Sequence, residues 1–323
     1  MKTEPREVKG KIVNHRRISP EYYTLRIQAP EIARAARPGQ FVMIRLDDTY
    51  DPLLRRPFGF SRILPPNQKR GGGFAEGGFE ICYQVVGRGT ARLTRLREGE
   101  RADVLGPLGR GFWREEGRER LILVGGGIGI APLLPWAEEL GGRKAGTREV
   151  QPEILLGGRD AHRLLGVREI KRMGLEPQIA TEDGSAGLRG TATDLLERDL
   201  LSKGDESKAI YACGPMPMLA KVAQIAEQFD VPCQVLLESR MACGVGACLG
   251  CAVKIRAEGK GEEEEEEEEN LSASKGGLCR PEEETEIPLP EEMAARISPA
   301  PNFRYGRVCL EGPVFRAQEI LWE

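Results

Sequence analysis

Apolar and polar positions alternate in three different ways along the chain. In the N-terminal third, short β-rich runs fall at 22–27, 41–45, 80–86 and 101–105. Turn signals separate them at Arg37-Pro38-Gly39, Leu64-Pro65-Pro66, Gly71-Gly72-Gly73 and Arg97-Glu98-Gly99. Short, regularly punctuated strands of this kind predict a small antiparallel β-barrel. Residues 90–96 have the composition of a short helix following a glycine turn.

From residue 120 the pattern becomes strand–turn–helix. The unbroken apolar run 120–124 fits a central parallel strand, and 131–140 reads as a helix. Further strands are predicted at 153–156, 176–180 and 209–212, with helices between them and another over 216–229. This is the order of an α/β nucleotide fold. Beyond 234 come a cysteine-rich loop and then a break in composition. Residues 257–302 hold eight consecutive glutamates (262–269) among Ser, Lys, Gly and Pro. Such a block cannot bury enough apolar surface to order itself, so a disordered insert is predicted. An acidic docking tail is the alternative, but like-charge runs are usually just solvated. Ordered sequence resumes over 303–315. The predicted fold is therefore multidomain β plus α/β, with a barrel over 1–115, a parallel-sheet α/β domain over 116–235 and a small cysteine domain over 236–323.

Charge changes this picture little. A net charge of -3 offers no basic field for nucleic acid. The polar opening Met1-Lys2-Thr3-Glu4 predicts no export signal, and the apolar stretch 121–137 is interrupted by Gly125, Gly126, Gly127, Pro132 and Pro135. No membrane span is expected, and a cytoplasmic location is. The eight cysteines then read as metal or redox ligands rather than a disulfide framework. With only His15 and His162 present, histidine-based acid–base or nucleophilic chemistry has few candidates.

Cys243, Cys248 and Cys251 have C-x4-C-x2-C spacing, that of plant-type [2Fe–2S] sites. Gly244, Gly246 and Gly250 suit a loop that needs φ > 0 and aims N–H groups at sulfur. A fourth thiolate is required. Structural zinc is the competing reading, although zinc sites more often use paired C-x2-C knuckles. Two strand-to-helix turns, Gly125-Gly126-Gly127-Ile128-Gly129 and Cys213-Gly214-Pro215, suit a dinucleotide at the C-terminal edge of a sheet. Cys213 fits either a place near the nicotinamide or a buried core position. In the barrel, Arg56-Pro57-Phe58-Gly59 sets a guanidinium beside a rigid turn, and the loop 87–90 also fits phosphate. Tyr83 reads as a flavin-packing side chain or as an ordinary core or surface residue.

Taken in order, these motifs resemble the ferredoxin–NADP reductase superfamily. The segment Glu238-Ser239-Arg240-Met241-Ala242-Cys243 and its continuation to Cys251 resemble the electron-transfer subunits of class 1B dihydroorotate dehydrogenases. The resemblance covers roughly 8–256 and 303–316. It implies FAD in the barrel, NAD in the α/β domain and one [2Fe–2S] cluster in the C-terminal domain. The family's R-P-I-S motif maps onto Arg56, Pro57, Phe58 and Gly59. Its I-Y-R triplet maps onto Cys82, Tyr83 and Gln84, and its G-T pair onto Gly89 and Thr90. Gly59 and Gln84 depart from the pattern, with Ser61 and Arg88 as candidate substitutes. Of the two later cysteines, Cys279 lies inside the low-complexity insert. Cys309, in Arg307-Val308-Cys309-Leu310-Glu311-Gly312-Pro313-Val314-Phe315, resembles the family's R-V-C-x-D-G-P-V-F signature, with Glu311 at its aspartate position, and is assigned as fourth ligand.

The resemblance also implies the chemistry. FAD exchanges a hydride with NAD, and the cluster relays single electrons to or from the FMN of a dihydroorotate dehydrogenase catalytic subunit, in a two-plus-two heterotetramer serving pyrimidine (UMP) biosynthesis. No catalytic residue beyond the cofactors is expected. Rival readings are an iron–sulfur flavoprotein reductase serving a ferredoxin, hydrogenase or sulfur-reducing partner, and a nucleotide-sensing zinc protein. Arg159 leaves NADP open, as either a 2′-phosphate partner or a solvated loop arginine.

Overall fold

A computed structural model describes residues 4–45, 51, 53–66, 76–141, 151–202, 207–257 and 303–322. The acidic block 258–302 with Cys279, and the Gly71 turn, lie outside the described residues.

The N-terminal unit is a closed barrel of β1 (Arg6–Arg17), β2 (Tyr22–Gln28), β3 (Phe41–Arg45), β4 (Arg56–Leu64), β5 (Gly78–Gln84) and β6 (Arg101–Leu108). Two short helices, α1 (Pro30–Ala35) and α2 (Arg88–Leu93), connect its strands. The strands run in the order β1-β2-β5-β4-β3-β6, every pair antiparallel. Alternate residues point inward, so Ile12, Leu25, Ile27, Val42, Ile44, Phe60, Phe79, Ile81 and Val104 fill it. Two of these strands are absent from the sequence-based reading. β1 is mostly polar, since only part of one face meets the core, and its apolar alternation is correspondingly faint. Gly10 lets it approach β2, where a Cβ would meet Ile27 Cγ2 at 2.4 Å. The Arg56-Pro57 segment, expected in a turn, opens β4 instead. Pro57 sits near the strand's start opposite Met43, a position proline tolerates.

The second unit contains β7 (Arg120–Gly126), α3 (Ile130–Leu140), β8 (Glu153–Gly158), α4 (Val167–Arg172), β9 (Gln178–Thr181) and β10 (Leu188–Arg189). It continues through α5 (Ala192–Ser202), β11 (Lys208–Cys213), α6 (Met216–Gln228) and β12 (Cys233–Leu236). Its parallel strands are buried on both faces, with Ile122, Val124, Ile210 and Val235 in one layer and Leu121, Leu123, Ala209 and Tyr211 in the other. Strand order is β10-β9-β8-β7-β11-β12, so direction of travel reverses between β7 and β11. Ligands of such sheets bind at that switch point.

The last strands are β13 (Ala252–Arg256), β14 (Phe303–Arg307) and β15 (Val314–Arg316). β13 and β14 pair antiparallel, with Arg256 opposite Phe303. The two ends of the acidic block therefore stand side by side. β15 leaves the small cysteine unit and adds an antiparallel edge to the α/β sheet, beside β12. Leu237 N–H donates to Pro313 O at 2.9 Å, and Arg110 N–H donates to Gly312 O. All three units are thus tied around residues 312–316.

Candidate cofactor sites and the thiolate cluster

Backbone conformation shapes the cysteine loop. Gly244 and Gly246 have φ of 73° and 82°. The third left-handed residue is Leu249 at 58°, whereas Gly250, expected to need that freedom, does not. The loop's N–H groups turn toward sulfur. Val245 N–H donates to Cys243 Sγ at 3.4 Å, Gly246 N–H to Cys309 Sγ at 3.1 Å, and Cys309 N–H to Cys251 Sγ at 3.4 Å.

Cys243 neighbours Cys248, and Cys309 neighbours Cys251 and Cys243, so the four thiols share one site. A two-iron cluster takes two thiolates per iron, so this donor set fits [2Fe–2S]. Among the described residues no three Cys, His, Asp or Glu converge on one ion. Desolvation pushes the Cys243 thiol up, but N–H groups of Val245, Cys248 and Ala247 together with the Cys248 side chain outweigh it, and its pKa falls to about 6. Cys309 is pushed up to about 12, first by burial and then by Cys251. Cys251 and Cys309 are buried while Cys248 is exposed, so the site has one protected and one open side.

Glu311 holds the turn that presents Cys309. It accepts from Arg304 at 2.6 Å and from Arg307 N–H at 3.1 Å, and Arg307 also donates to Gly246 O at 3.3 Å. Partial burial raises the Glu311 pKa, but these arginines hold it below the usual range. The loop also packs on the barrel. A Cβ at Gly244 would meet Met43 Cγ at 2.6 Å, and Met43 is paired with Pro57 of β4.

Arg56 and the Gly89-Thr90 loop come together. A Cβ at Gly89 would lie 2.6 Å from Arg56 Nε, so only glycine lets the guanidinium reach the start of α2. Thr90 Oγ1 accepts from Val86 N–H at 2.9 Å and Gly87 N–H at 3.2 Å, which fixes the loop. Phe58 is buried and meets Tyr83 edge-on, with centroids 5.8 Å apart. Gly59 faces Pro132 of α3, where a Cβ would come within 3.3 Å. A serine here would crowd the junction of barrel and α/β domain.

Other residues expected around the flavin make contacts within the protein. Tyr83 is 2% exposed and belongs to the barrel core, its Oη 2.8 Å from His15 Nε2. Gln84 Nε2 donates to Glu21 at 2.9 Å. Ser61 is buried and donates to Glu80 O at 3.0 Å, and exposed Arg88 pairs with Asp51. Cys82 is half-buried on the outer face, and burial pushes its thiol up to about 12.

The two glycine-rich turns meet at the switch point. A Cβ at Gly129 would meet Cys213 O at 2.4 Å, while Gly126 and Gly214 both close on Met218. Gly125 packs on Ile130. Gly127, at φ 55°, has nothing within 4 Å of its Cβ position and leaves room for a ligand. Exposed Pro215 begins α6. The Cys213 side chain is fully buried at the end of β11, beside the switch point. Nearby, Glu238 is exposed, and desolvation raises its carboxyl pKa. Arg159 is exposed, and its carbonyl accepts from Asp183 N–H at 3.2 Å. Glu182 and Asp183, just past the end of β9, were missed in the sequence. An acidic residue closing a nucleotide-fold strand was the available signal.

Two profiles match the chain. The iron–sulfur cluster binding domain of dihydroorotate dehydrogenase B matches residues 238–265, and the oxidoreductase NAD-binding domain matches 123–224. The dihydroorotate dehydrogenase B (NAD(+)) electron transfer subunit of Desulforamulus reducens is 34% identical, over 95% of each chain. The chain belongs to that family. The subunit of the same name from Caldanaerobacter subterraneus subsp. tengcongensis is also 34% identical, over 98% of this chain and 99% of its own. Among solved structures, one describing flavin-based electron bifurcation by an NADH-dependent reduced ferredoxin–NADP oxidoreductase aligns with TM-score 0.70 and 27% identity. That alignment covers 98% of this chain and 90% of the other. A ferredoxin reductase of carbazole 1,9a-dioxygenase shares the fold at TM-score 0.55 and 20% identity, over 71% and 67%. No helix among the described residues is long and apolar enough to cross a membrane.

Proposed function

We propose that this chain is the electron-transfer subunit of an NAD-dependent dihydroorotate dehydrogenase. In this reading it passes electrons from the FMN of a catalytic partner through [2Fe–2S] and FAD to NAD+. The observation that carries it is the seating of the cysteine loop, through Gly244 and Met43, on the strand pair that bears Arg56 and Pro57. Bound FAD would supply the exchange between two-electron and one-electron transfer.

The chain's own residues bind and orient. Arg56 with Gly89 and Thr90 holds the FAD diphosphate. Pro57, Phe58, Gly59, Ser61, Cys82, Tyr83 and Gln84 shape the barrel face around the flavin, several of them from the core. Gly125, Gly126, Gly127, Gly129, Cys213, Gly214 and Pro215 form the NAD crevice. Cys243, Cys248, Cys251 and Cys309 ligate the cluster. Val245 at 45%, Leu249 at 62% and Leu310 at 48% exposure surround open Cys248 and offer an apolar face for the FMN subunit, in a two-plus-two cytoplasmic assembly.

A second reading, a reductase serving a ferredoxin-type acceptor, is favoured by the likeness to the bifurcating oxidoreductase. Anaerobic purification decides between these and a zinc protein. One FAD, two irons and bleaching by NADH, followed by orotate-dependent reoxidation once an FMN subunit is added, is the expected result. Reoxidation by ferredoxin alone favours the second reading. Zinc without flavin refutes both.

A further inference from the structure

A cavity of ≈ 880 Å³ opens where the barrel meets α3 and α4. Arg16, Arg17 and Arg62 line it from the barrel, and Arg168, Lys171 and Arg172 line it from α4. The α4 cations stand at i, i+3 and i+4 and so share one helix face. Two carboxylates, Glu80 and Glu169, oppose these six cations, and Glu80 is already paired with Arg26 at 2.9 Å. Among the described residues Arg62, Arg168 and Arg172 make no side-chain hydrogen bond or ion pair. Lys171 is offset by Glu176 at 3.2 Å, so like charges face each other across a domain seam with Arg62, Arg168 and Arg172 left without a carboxylate partner among the described residues.

The remaining wall is apolar, with Ile130, Leu134 and Leu165. A space of this size lies in the range of small-ligand pockets. Guanidinium groups from two directions suit the oxygens of a phosphate, and the apolar wall suits a flat ring. Ser61 and Cys82 border the cavity, whereas Arg56, Gly89, Gly127 and Gly214 are not among its described lining residues. It therefore shares Ser61 and Cys82 with the barrel face proposed around the flavin but lies apart from the residues proposed for the FAD diphosphate and from the glycine turns of the NAD crevice, and this inference rests on that placement.

We propose that the seam binds a nucleoside monophosphate, its phosphate bridged by arginines of both domains and its base on the apolar wall. The test is calorimetric titration of the FAD- and cluster-loaded full chain with uridine monophosphate and, separately, inorganic phosphate, both at saturating NAD+. The expected result is one uridine monophosphate per chain, bound at least tenfold more tightly than phosphate. Arg62→Gln combined with Arg168→Gln should weaken it at least tenfold at unchanged FAD content. Absent binding, displacement by NAD+, equal affinity for bare phosphate, or an unaffected double variant each overturns the proposal. If the double variant loses FAD, exposed Arg172→Gln alone replaces it; a severalfold loss supports the site and unchanged affinity overturns it. A protein that bleaches with NADH but ignores the nucleotide refutes this site only. One lacking FAD and iron refutes the electron-transfer reading instead.

Discussion

Gly246 N–H donates to Cys309 Sγ at 3.1 Å, joining residues 63 positions apart. The contact needs the left-handed turn at Gly246 and the Glu311-braced turn after Arg307, so the cysteine loop and the distant thiol are built for each other. Cys309→Ser is therefore expected to abolish the stable cluster, and Cys279→Ser to leave it intact. Iron and sulfide content with the visible spectrum of each variant checks this, and the opposite pattern would move the fourth ligand to Cys279.

Arg256 and Phe303 are paired neighbours on adjacent strands, so a turn of a few residues suffices to join them. Replacing 258–302 with a turn of about four residues should preserve iron content. Stability should rise by up to about 2 kcal/mol, because a shorter loop costs less closure entropy. Urea unfolding measures this; loss of the cluster would mean that the acidic block contributes to the site.

Arg56 lies against Gly89, which fits a charged clamp on a diphosphate. Arg56→Gln should weaken FAD binding by about 1.5–3 kcal/mol, roughly tenfold or more in the dissociation constant, at unchanged iron content. Flavin fluorescence on dilution reads the effect. An unchanged affinity would put the diphosphate elsewhere.

His15 Nδ1 lies 2.7 Å from Leu96 O, a pure acceptor, so it carries the proton and Nε2 accepts from Tyr83. Tyr83→Phe should then cost about 1 kcal/mol of stability by leaving that half-buried nitrogen without its donor, with flavin absorbance unmoved. A large shift in the flavin spectrum would return Tyr83 to the cofactor.

Glu182 and Asp183 set negative charge at the end of β9 beside Arg159, where a 2′-phosphate would be repelled. Asp183→Asn with Glu182→Gln is expected to narrow the preference for NADH over NADPH by about tenfold, on the order of 1.4 kcal/mol. Steady-state bleaching rates with the two nucleotides compare them. A preference unmoved by this change assigns the choice to other residues.

Much of the architecture was legible because it rests on local rules. The apolar run at β7, its glycine turn and the helix after it follow from chain chemistry alone, and so do most barrel strands. The misses share a cause. β1 and the proline-led start of β4 are weak in local pattern and are strands because neighbours complete their hydrogen bonds. Tyr83 reads from sequence as a cofactor contact or, more often, as ordinary core or surface, and only the parity of β5 in the closed barrel turns its side chain inward.

The sequence by itself determined the cofactor chemistry: thiolate spacing, phosphate-compatible glycines and the order of the three units are properties of residues close together along the chain. Tertiary structure alone decided what distant segments share. It brought Cys309 to the loop, closed 256 onto 303, returned β15 to the α/β sheet, and set Gly244 on Met43. The reason is physical. Spacing encodes local conformation, but contacts between remote segments depend on strand register and packing, which form only when the whole chain folds.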